Sequence, residues 1–242
     1  MNSTAGGGSL ITFPVLVWLG RDPILANATN TVSLSPGSIA ALHAFRRELA
    51  GLQSWIVWGT IPCVAGGILG AALLLRTPSP VFAWLVPYLI LFATALFALS
   101  GPLNALATRR TAAGGKRGAV PERPNWTAAM GYQFLVSVYG GYFGAGIGIM
   151  MLAGLGLAGF GAIHRMIALR NYYAILINGL AALYFIVFGA VQWSDAAILT
   201  LGQIAGNVAG ARLARAAAPA TVRWIVVAVG LAMAIALLGH PV

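Results

Sequence analysis

The sequence predicts an all-α integral membrane protein of about seven to eight transmembrane segments, arranged as two homologous repeats with glycine-broken helices. Three observations lead there. Apolar residues fill 60% of the 242 positions and charged residues only 7%, where soluble domains carry roughly 45–50% and 25%. The apolar residues fall in long runs separated by Arg, Pro and Gly clusters. Uncommon residues recur at a nearly constant spacing along the chain. So few charges cannot cover a soluble domain, whereas a bilayer hides apolar surface and needs about 20 apolar residues per spanning helix.

The runs can be bounded in order. The first, Ala5 to Leu19, is short and stops at Gly20-Arg21-Asp22-Pro23. Ile24–Phe45 ends at Arg46-Arg47-Glu48, Leu52–Leu75 at Arg76 and the Pro78-Ser79-Pro80 turn, and Val81–Leu106 at Arg109-Arg110. Residues 109–125 have linker composition, with Gly114, Gly115, Lys116, Arg117, Glu122, Arg123 and Pro124. Then follow Trp126–Phe160, Met166–Val191, Ala196–Leu213 and Ala220–Leu238. The chain therefore divides into a first repeat (1–108), a basic linker (109–125) and a second repeat (126–242). Ala5–Leu19 is too short to span alone, and Trp126–Phe160 is longer than one crossing needs. Glycines interrupt both.

The net charge of +10 does not indicate nucleic-acid binding, because the basic residues sit in short gaps between apolar runs, as membrane-edge charges do. Trp55, Trp58, Trp126 and Trp193 fit an interfacial aromatic belt. Cys63 is the only cysteine, so no intrachain disulfide forms and no Cys-based metal site is indicated. No cofactor is expected. Met1-Asn2-Ser3-Thr4 lacks a basic signal-peptide start, and insertion is expected to use a mature segment. The expected partners are the lipid bilayer and a small solute, and a homo-oligomer is compatible with the pattern. The expected location is a bacterial inner membrane.

A shift of 140 residues places Gly6 and Gly8 on Gly146 and Gly148, Gly66 and Gly70 on Gly206 and Gly210, and Trp84 on Trp224. A shift of 141 places Asn30 on Asn171 and Ala40-Ala41-Leu42 on Ala181-Ala182-Leu183. Glycine coincidences alone mean little in such a chain, but the order of the Asn and Trp matches argues for duplication. Secondary transporters built from two repeats hold substrate between them, near the midplane, at interrupted helices. A broken helix exposes backbone N–H groups and a positive dipole end, which suit an anion. The Gly-x3-Gly pairs are read instead as close-packing surfaces.

The glycine-rich segments are Ala5-Gly6-Gly7-Gly8-Ser9-Leu10-Ile11-Thr12-Phe13-Pro14 and Gly141-Tyr142-Phe143-Gly144-Ala145-Gly146-Ile147-Gly148. With them the chain resembles, over essentially its whole length, the TauE/SafE family of membrane anion exporters and permeases. The resemblance implies transport of small anions, with organosulfonates, sulfite and related sulfur compounds as expected substrates. The second motif departs from the family pattern at Ile147, where a third glycine is expected.

Polar groups at membrane depth are costly and carry functional weight. The second run holds Asn27, Thr29, Asn30, Thr31, Ser33 and Ser35, and its counterpart holds Arg170, Asn171, Tyr172, Tyr173 and Asn178. Amides, hydroxyls and a guanidinium can replace the water around a sulfonate, the guanidinium as a two-pronged donor. The expected substrate-binding set is Gly6, Gly7, Gly8, Asn30, Thr31, Ser33, Gly144, Gly146, Gly148, Arg170, Asn171, Tyr172 and Asn178. Asn30 and Asn171 could equally cap helix starts, and Arg170 could snorkel to the interface. Gln203 and Asn207 share a helical face and suit a helix–helix hydrogen bond.

All four carboxylates, Asp22, Glu48, Glu122 and Asp195, fall in loops or at segment ends. No buried acid offers a proton relay, so the expectation is potential-driven efflux of an anion without an obligatory coupling ion. If all eight runs cross, the alternating loops hold seven basic residues on each side, and the positive-inside rule does not choose an orientation. The alternative function is a non-transporting membrane subunit packed on a partner. An enzyme is not expected, since no nucleophile–base or metal-ligand set is present.

Overall fold

The computed structural model describes residues 9–44, 48–114, 125–160, 163–216 and 219–239; Gly6, Gly7 and Gly8 lie outside the described residues. The described chain is all helical. The helices are α1 (Ser9–Trp18), α2 (Pro23–Ala44), α3 (Gln53–Arg76), α4 (Ser79–Gly114), α5 (Trp126–Tyr142), α6 (Ile147–Leu157), α7 (Ile163–Val187), α8 (Trp193–Ala216) and α9 (Pro219–Gly239). By length and hydropathy Gln53–Arg76, Ser79–Ser100 and Ile163–Val187 can each cross a membrane. Many large apolar side chains face outward, Trp58, Leu135, Ile198 and Leu201 among them. That surface needs lipid around it.

Local chemistry sets the helix ends. The Asp22 carboxylate accepts from the N–H groups of Ile24 (2.9 Å) and Leu25 (3.1 Å), with Pro23 in the first helical position, where a missing N–H costs nothing. Asn125 caps α5 in the same way, accepting from the Ala128 N–H at 3.1 Å. Helix α4 continues through Arg109–Gly114, because nothing in that stretch breaks a helix before the Gly114-Gly115 pair.

The long run Trp126–Phe160 is two helices side by side in opposite directions. Tyr132 on α5 donates its hydroxyl to the Met150 carbonyl on α6 (2.7 Å). The ring of Tyr132 also lies against Gly154. At the open end, Trp126 and Phe160 both pack on Trp55, with ring centroids 4.8 and 4.7 Å away. The chain thus enters and returns at the same end of the bundle, which accounts for the excess length. Trp55 is only 4% exposed: it is a core residue joining α3 to both arms of the hairpin rather than a belt residue.

Helix α3 and the α5 arm run parallel at very short range. A Cβ on Gly66 would lie 2.6 Å from the Ser137 Cβ, one on Gly70 would overlap the Val138 carbonyl oxygen, and one on Gly141 would overlap that of Gly67. Glycine here lets two backbones touch, as small residues do between membrane helices. The packing expected of Gly66-x3-Gly70 is therefore present, whereas Gly206 on α8 faces open space.

At the end opposite Trp55, Arg21 pairs with Asp195 at 2.8 Å, and Thr29 of α2 accepts from the Gln192 N–H at 3.0 Å. Helix α2 therefore starts where α7 finishes, and the two run antiparallel. Replacing Gly70 by Ala should lower thermal stability in detergent by about 1–3 kcal/mol, since overpacking there moves backbone. Gly131→Ala, which meets nothing within 4 Å, should be neutral or slightly stabilising. Equal melting temperatures for the two variants would contradict the close α3–α5 contact.

Candidate functional site

The interruption between α5 and α6 sets the geometry. The last turn of α5 closes with Phe143 and Gly144 N–H groups on the Tyr139 carbonyl (2.9 and 3.2 Å). Gly144 and Gly146 then take φ values of 80° and 82°, a left-handed conformation that glycine adopts without a steric cost. The carbonyls stranded by the break are covered. Tyr139 donates its hydroxyl to the Ala145 carbonyl (2.8 Å), and Asn27 reaches across from α2 to donate to the Tyr142 carbonyl (2.9 Å). Asn178 of α7 lies beside Gly144: a Cβ there would sit 3.7 Å from its Oδ1.

Helix α6 restarts at Ile147 with Gly146 as its N-cap. No side chain exists at that cap to bind the first-turn N–H groups, and those groups carry the positive end of the helix dipole. Arg170 reaches this turn from α7. A Cβ on Gly148 would meet its Nε at 2.9 Å, its Cζ at 3.0 Å and its Nη2 at 3.3 Å. The bare glycine is what admits the guanidinium. Arg170 and Asn171 are each 6% exposed, and the Asn171 Nδ2 has no hydrogen-bond partner among the described residues.

The polar face of α2 is organised mainly by bonds to its own backbone and to neighbouring helices. Thr12 of α1 donates to the Asn30 side-chain oxygen. Thr31 donates to the Asn27 carbonyl (2.9 Å) and Ser33 to that of Asn30 (2.7 Å). Gln203 of α8 donates to the Ser33 hydroxyl at 2.8 Å, which is the helix–helix bond its sequence position suggested.

Of the expected set, the structure brings Gly144 to Asn178 and Gly148 to Arg170, and places Asn30, Thr31 and Ser33 along one buried stretch of α2. Asn30 and Asn171 lie about two turns inside their helices, and Asp22 holds the cap of α2, so neither is a capping residue. Burial likewise rules out snorkelling for Arg170. Tyr172 turns toward α3, where its hydroxyl lies 3.1 Å from that of Thr60. Tyr139 and Thr12 escaped the sequence reading, and Asn27 was only a member of a polar run. Nothing local marks them, because their partners are set by the fold.

A cavity of about 370 Å³ lies beside the hairpin, between α3, α5, α6 and α7. Trp55, Tyr132, Gln133, Met151 and Tyr173 are among its walls, and Asn125 and Ala128 stand at its outer end. Gln133 is held there by bonds from its Nε2 to the Cys63 sulfur and the Ser137 hydroxyl, both 3.3 Å. Among the described residues no cluster of three His, Cys, Asp or Glu could hold a metal ion.

A helical bundle with lipid-facing walls, an interrupted helix and a buried cation at the interruption has the form of a membrane transporter. The chain belongs to the sulfite exporter TauE/SafE family, whose sequence profile matches residues 1–237. It is 30% identical over 246 residues to the probable membrane transporter protein ORF9 of Sinorhizobium sp., covering 100% of this chain and 88% of that one. It is 29% identical over 244 residues to the probable membrane transporter protein YfcA of Escherichia coli, covering 98% and 84%. A probable membrane transporter protein of Haemophilus influenzae is 28% identical over 234 residues, covering 94% and 85%. No solved structure matches the chain.

Two substitutions separate scaffold from site. Asn27→Ala leaves the Tyr142 carbonyl bare and should cost about 1–3 kcal/mol, read as a lower melting temperature in detergent. Gly148→Ala displaces only the flexible end of Arg170, so its melting temperature should stay near wild type. Unfolding of Gly148→Ala, or an unchanged melting temperature for Asn27→Ala, would contradict this division.

Proposed function

We propose that the protein is a secondary carrier, working as an exporter, for a small anion such as an organosulfonate, sulfite or related sulfur compound. The anion binds between two repeats near the bilayer midplane of a bacterial inner membrane. The observation that carries this reading is the Arg170 guanidinium lying against Gly148, in the first turn of α6. Two sources of positive potential converge there, in a medium of low dielectric where each acts more strongly than in water. The unpartnered Asn171 Nδ2 adds a buried donor in the residue after Arg170. A tetrahedral oxyanion offers acceptors in several directions, and the guanidinium fork matches two at once. The family description, a sulfite exporter, names the same substrate class.

The helix boundaries support the two-repeat reading. The starts of α2, α3 and α4, at residues 23, 53 and 79, recur as those of α7, α8 and α9, at 163, 193 and 219. All three offsets are 140 residues, and α1 and α6 differ by 138. The antiparallel course of α2 and α7 fits repeats of inverted orientation, which place substrate where discontinuous helices meet. On this reading residues 1–108 and 126–242 form the repeats and 109–125 the linker. The described acids, Asp22, Glu48 and Asp195, all stand at helix ends or in turns, which supports export driven by the membrane potential. Each negative charge leaving a negative interior gains about 2.3 kcal/mol per 100 mV.

The test is flux of radiolabelled sulfite and of a short alkanesulfonate in proteoliposomes, at zero and at imposed potential. Wild type should show potential-dependent flux. Asn171→Ala and Arg170→Lys should each lose about tenfold or more, the latter because an ammonium keeps the charge but not the fork. Gly148→Ala should lose flux while remaining folded. Flux that requires an inward H⁺ or Na⁺ gradient would overturn the potential-driven mechanism, and no flux of either anion would overturn the substrate class.

A further inference from the structure

We infer that the Trp55 end of the bundle faces the cytoplasm, that the α5–α6 hairpin is re-entrant from that face, and that the cavity beside it is a water-filled mouth open to the cytoplasm. None of this depends on which solute is carried.

The inference starts from the path of the chain. Because Trp126 and Phe160 both rest on Trp55, residues 126–160 leave the Trp55 end and come back to it. They do not change sides. Counting that run as one crossing is what balanced the basic residues at seven and seven, and it put every later loop on the wrong side. With the hairpin returned to its starting end, the balance disappears.

The sides follow from the helix directions. Helix α2 runs from the Arg21 end to the Trp55 end, α3 runs back, and α4 starts beside Tyr142, where Phe82 packs at 5.6 Å. Helix α8 starts at the Asp195–Arg21 pair and passes Ser33 at Gln203 on its way to the Trp55 end, and α9 returns. By their position between these helix ends, Arg46 and Arg47, the five basic residues from Arg109 to Arg123, Arg165, and Arg212, Arg215 and Arg223 belong to the Trp55 end. Only Arg21 and Arg76 belong to the other, and Arg170 lies inside. Eleven of the fourteen basic residues thus gather on one face. A bias of that size, within a few residues of the helix ends, marks the cytoplasmic side.

The cavity opens on the same face. Its outer residues, Asn125 and Ala128, are exposed and begin the α5 arm. Its inner wall includes Met151 and Tyr173. Met151 is three residues from Gly148, and Tyr173 is three residues from Arg170. That spacing puts each about one helical turn from the contact between Gly148 and Arg170. The mouth therefore leads from the basic face to the depth of the buried cation. Gln133 and the tyrosine hydroxyls make its wall partly polar, which suits water rather than an acyl chain.

Single cysteines in a Cys63→Ala background, labelled with a membrane-impermeant maleimide, test all three parts. Asn125→Cys, His164→Cys and Ala129→Cys should react in inside-out vesicles and stay at least tenfold less reactive in intact spheroplasts. Ser194→Cys should show the reverse. Reaction of Asn125→Cys and His164→Cys from opposite sides would overturn the re-entrant hairpin. The opposite sidedness at every position would overturn the orientation. An inert Ala129→Cys beside a reactive Asn125→Cys would overturn the water-filled mouth. Labelling after denaturation measures the protein present, so a poorly inserted variant is not scored as protected. Alkaline phosphatase fused after Gly239 should be active and after Gly114 inactive, a check of orientation that needs no cysteine, and the converse would overturn it.

Discussion

In hydrocarbon a backbone N–H or C=O has no water to bind, and each one left bare costs several kcal/mol. The four-residue interruption from Phe143 to Gly146 is tolerable only because other parts of the chain cover it. Tyr139 covers the Ala145 carbonyl from within the hairpin, and Asn27 covers the Tyr142 carbonyl from a helix 115 residues earlier in the sequence. That second bond ties the two halves of the chain together at the break. The polar face of α2 therefore has two duties, since part of it completes the backbone of the opposite half and the rest stays beside the candidate site.

The carbonyl end of the break is covered by a neutral amide, whereas its N–H end is met by a guanidinium. This difference gives the site its sign. A carboxylate beside Gly148 would neutralise the dipole of α6 and leave nothing for an anion. A cation adds to it. Both groups are held on a stiff support, because the α5 arm is pressed against α3 through Gly66, Gly70 and Gly141 with no side chain between the backbones. A site that must distinguish anions by the direction of their oxygens gains from such rigidity, as donors fixed in advance lose little entropy on binding.

Much of this was legible in the amino-acid order. The membrane class followed from hydropathy, the break from Gly144 and Gly146, and the buried polar residues of the two matching helices from their cost in lipid. Three things were not legible. The return of Trp126–Phe160 to its own starting end depends on Tyr132, Met150 and the stacking on Trp55, and a hydropathy profile shows only an overlong run. Trp55 reads as a belt residue because its sequence position is near a helix end, whereas tertiary packing buries it. Tyr172 sits next to Arg170 and Asn171, but a turn of about 100° per residue carries it toward Thr60 of α3. In each case what decides is which helix lies opposite, and that is information about contacts far apart in the chain.

A buried guanidinium at a helix N-terminus also constrains the empty carrier. Two like-signed sources of potential repel each other, so the arrangement is strained until an anion lies between them or water reaches it. In the proposed carrier, a water-filled mouth beside the hairpin would supply that relief in the empty state. Closing the mouth would remove the water, and the penalty for doing so would be large without an anion and small with one. Occupancy and closure are then coupled by solvation alone, since a ligand shifts a conformational equilibrium only through its unequal affinity for the two states. Such a carrier needs no acid–base relay to prevent idle cycling: the Arg170 charge raises the energy of the empty, closed form, and the anion brings that form within reach.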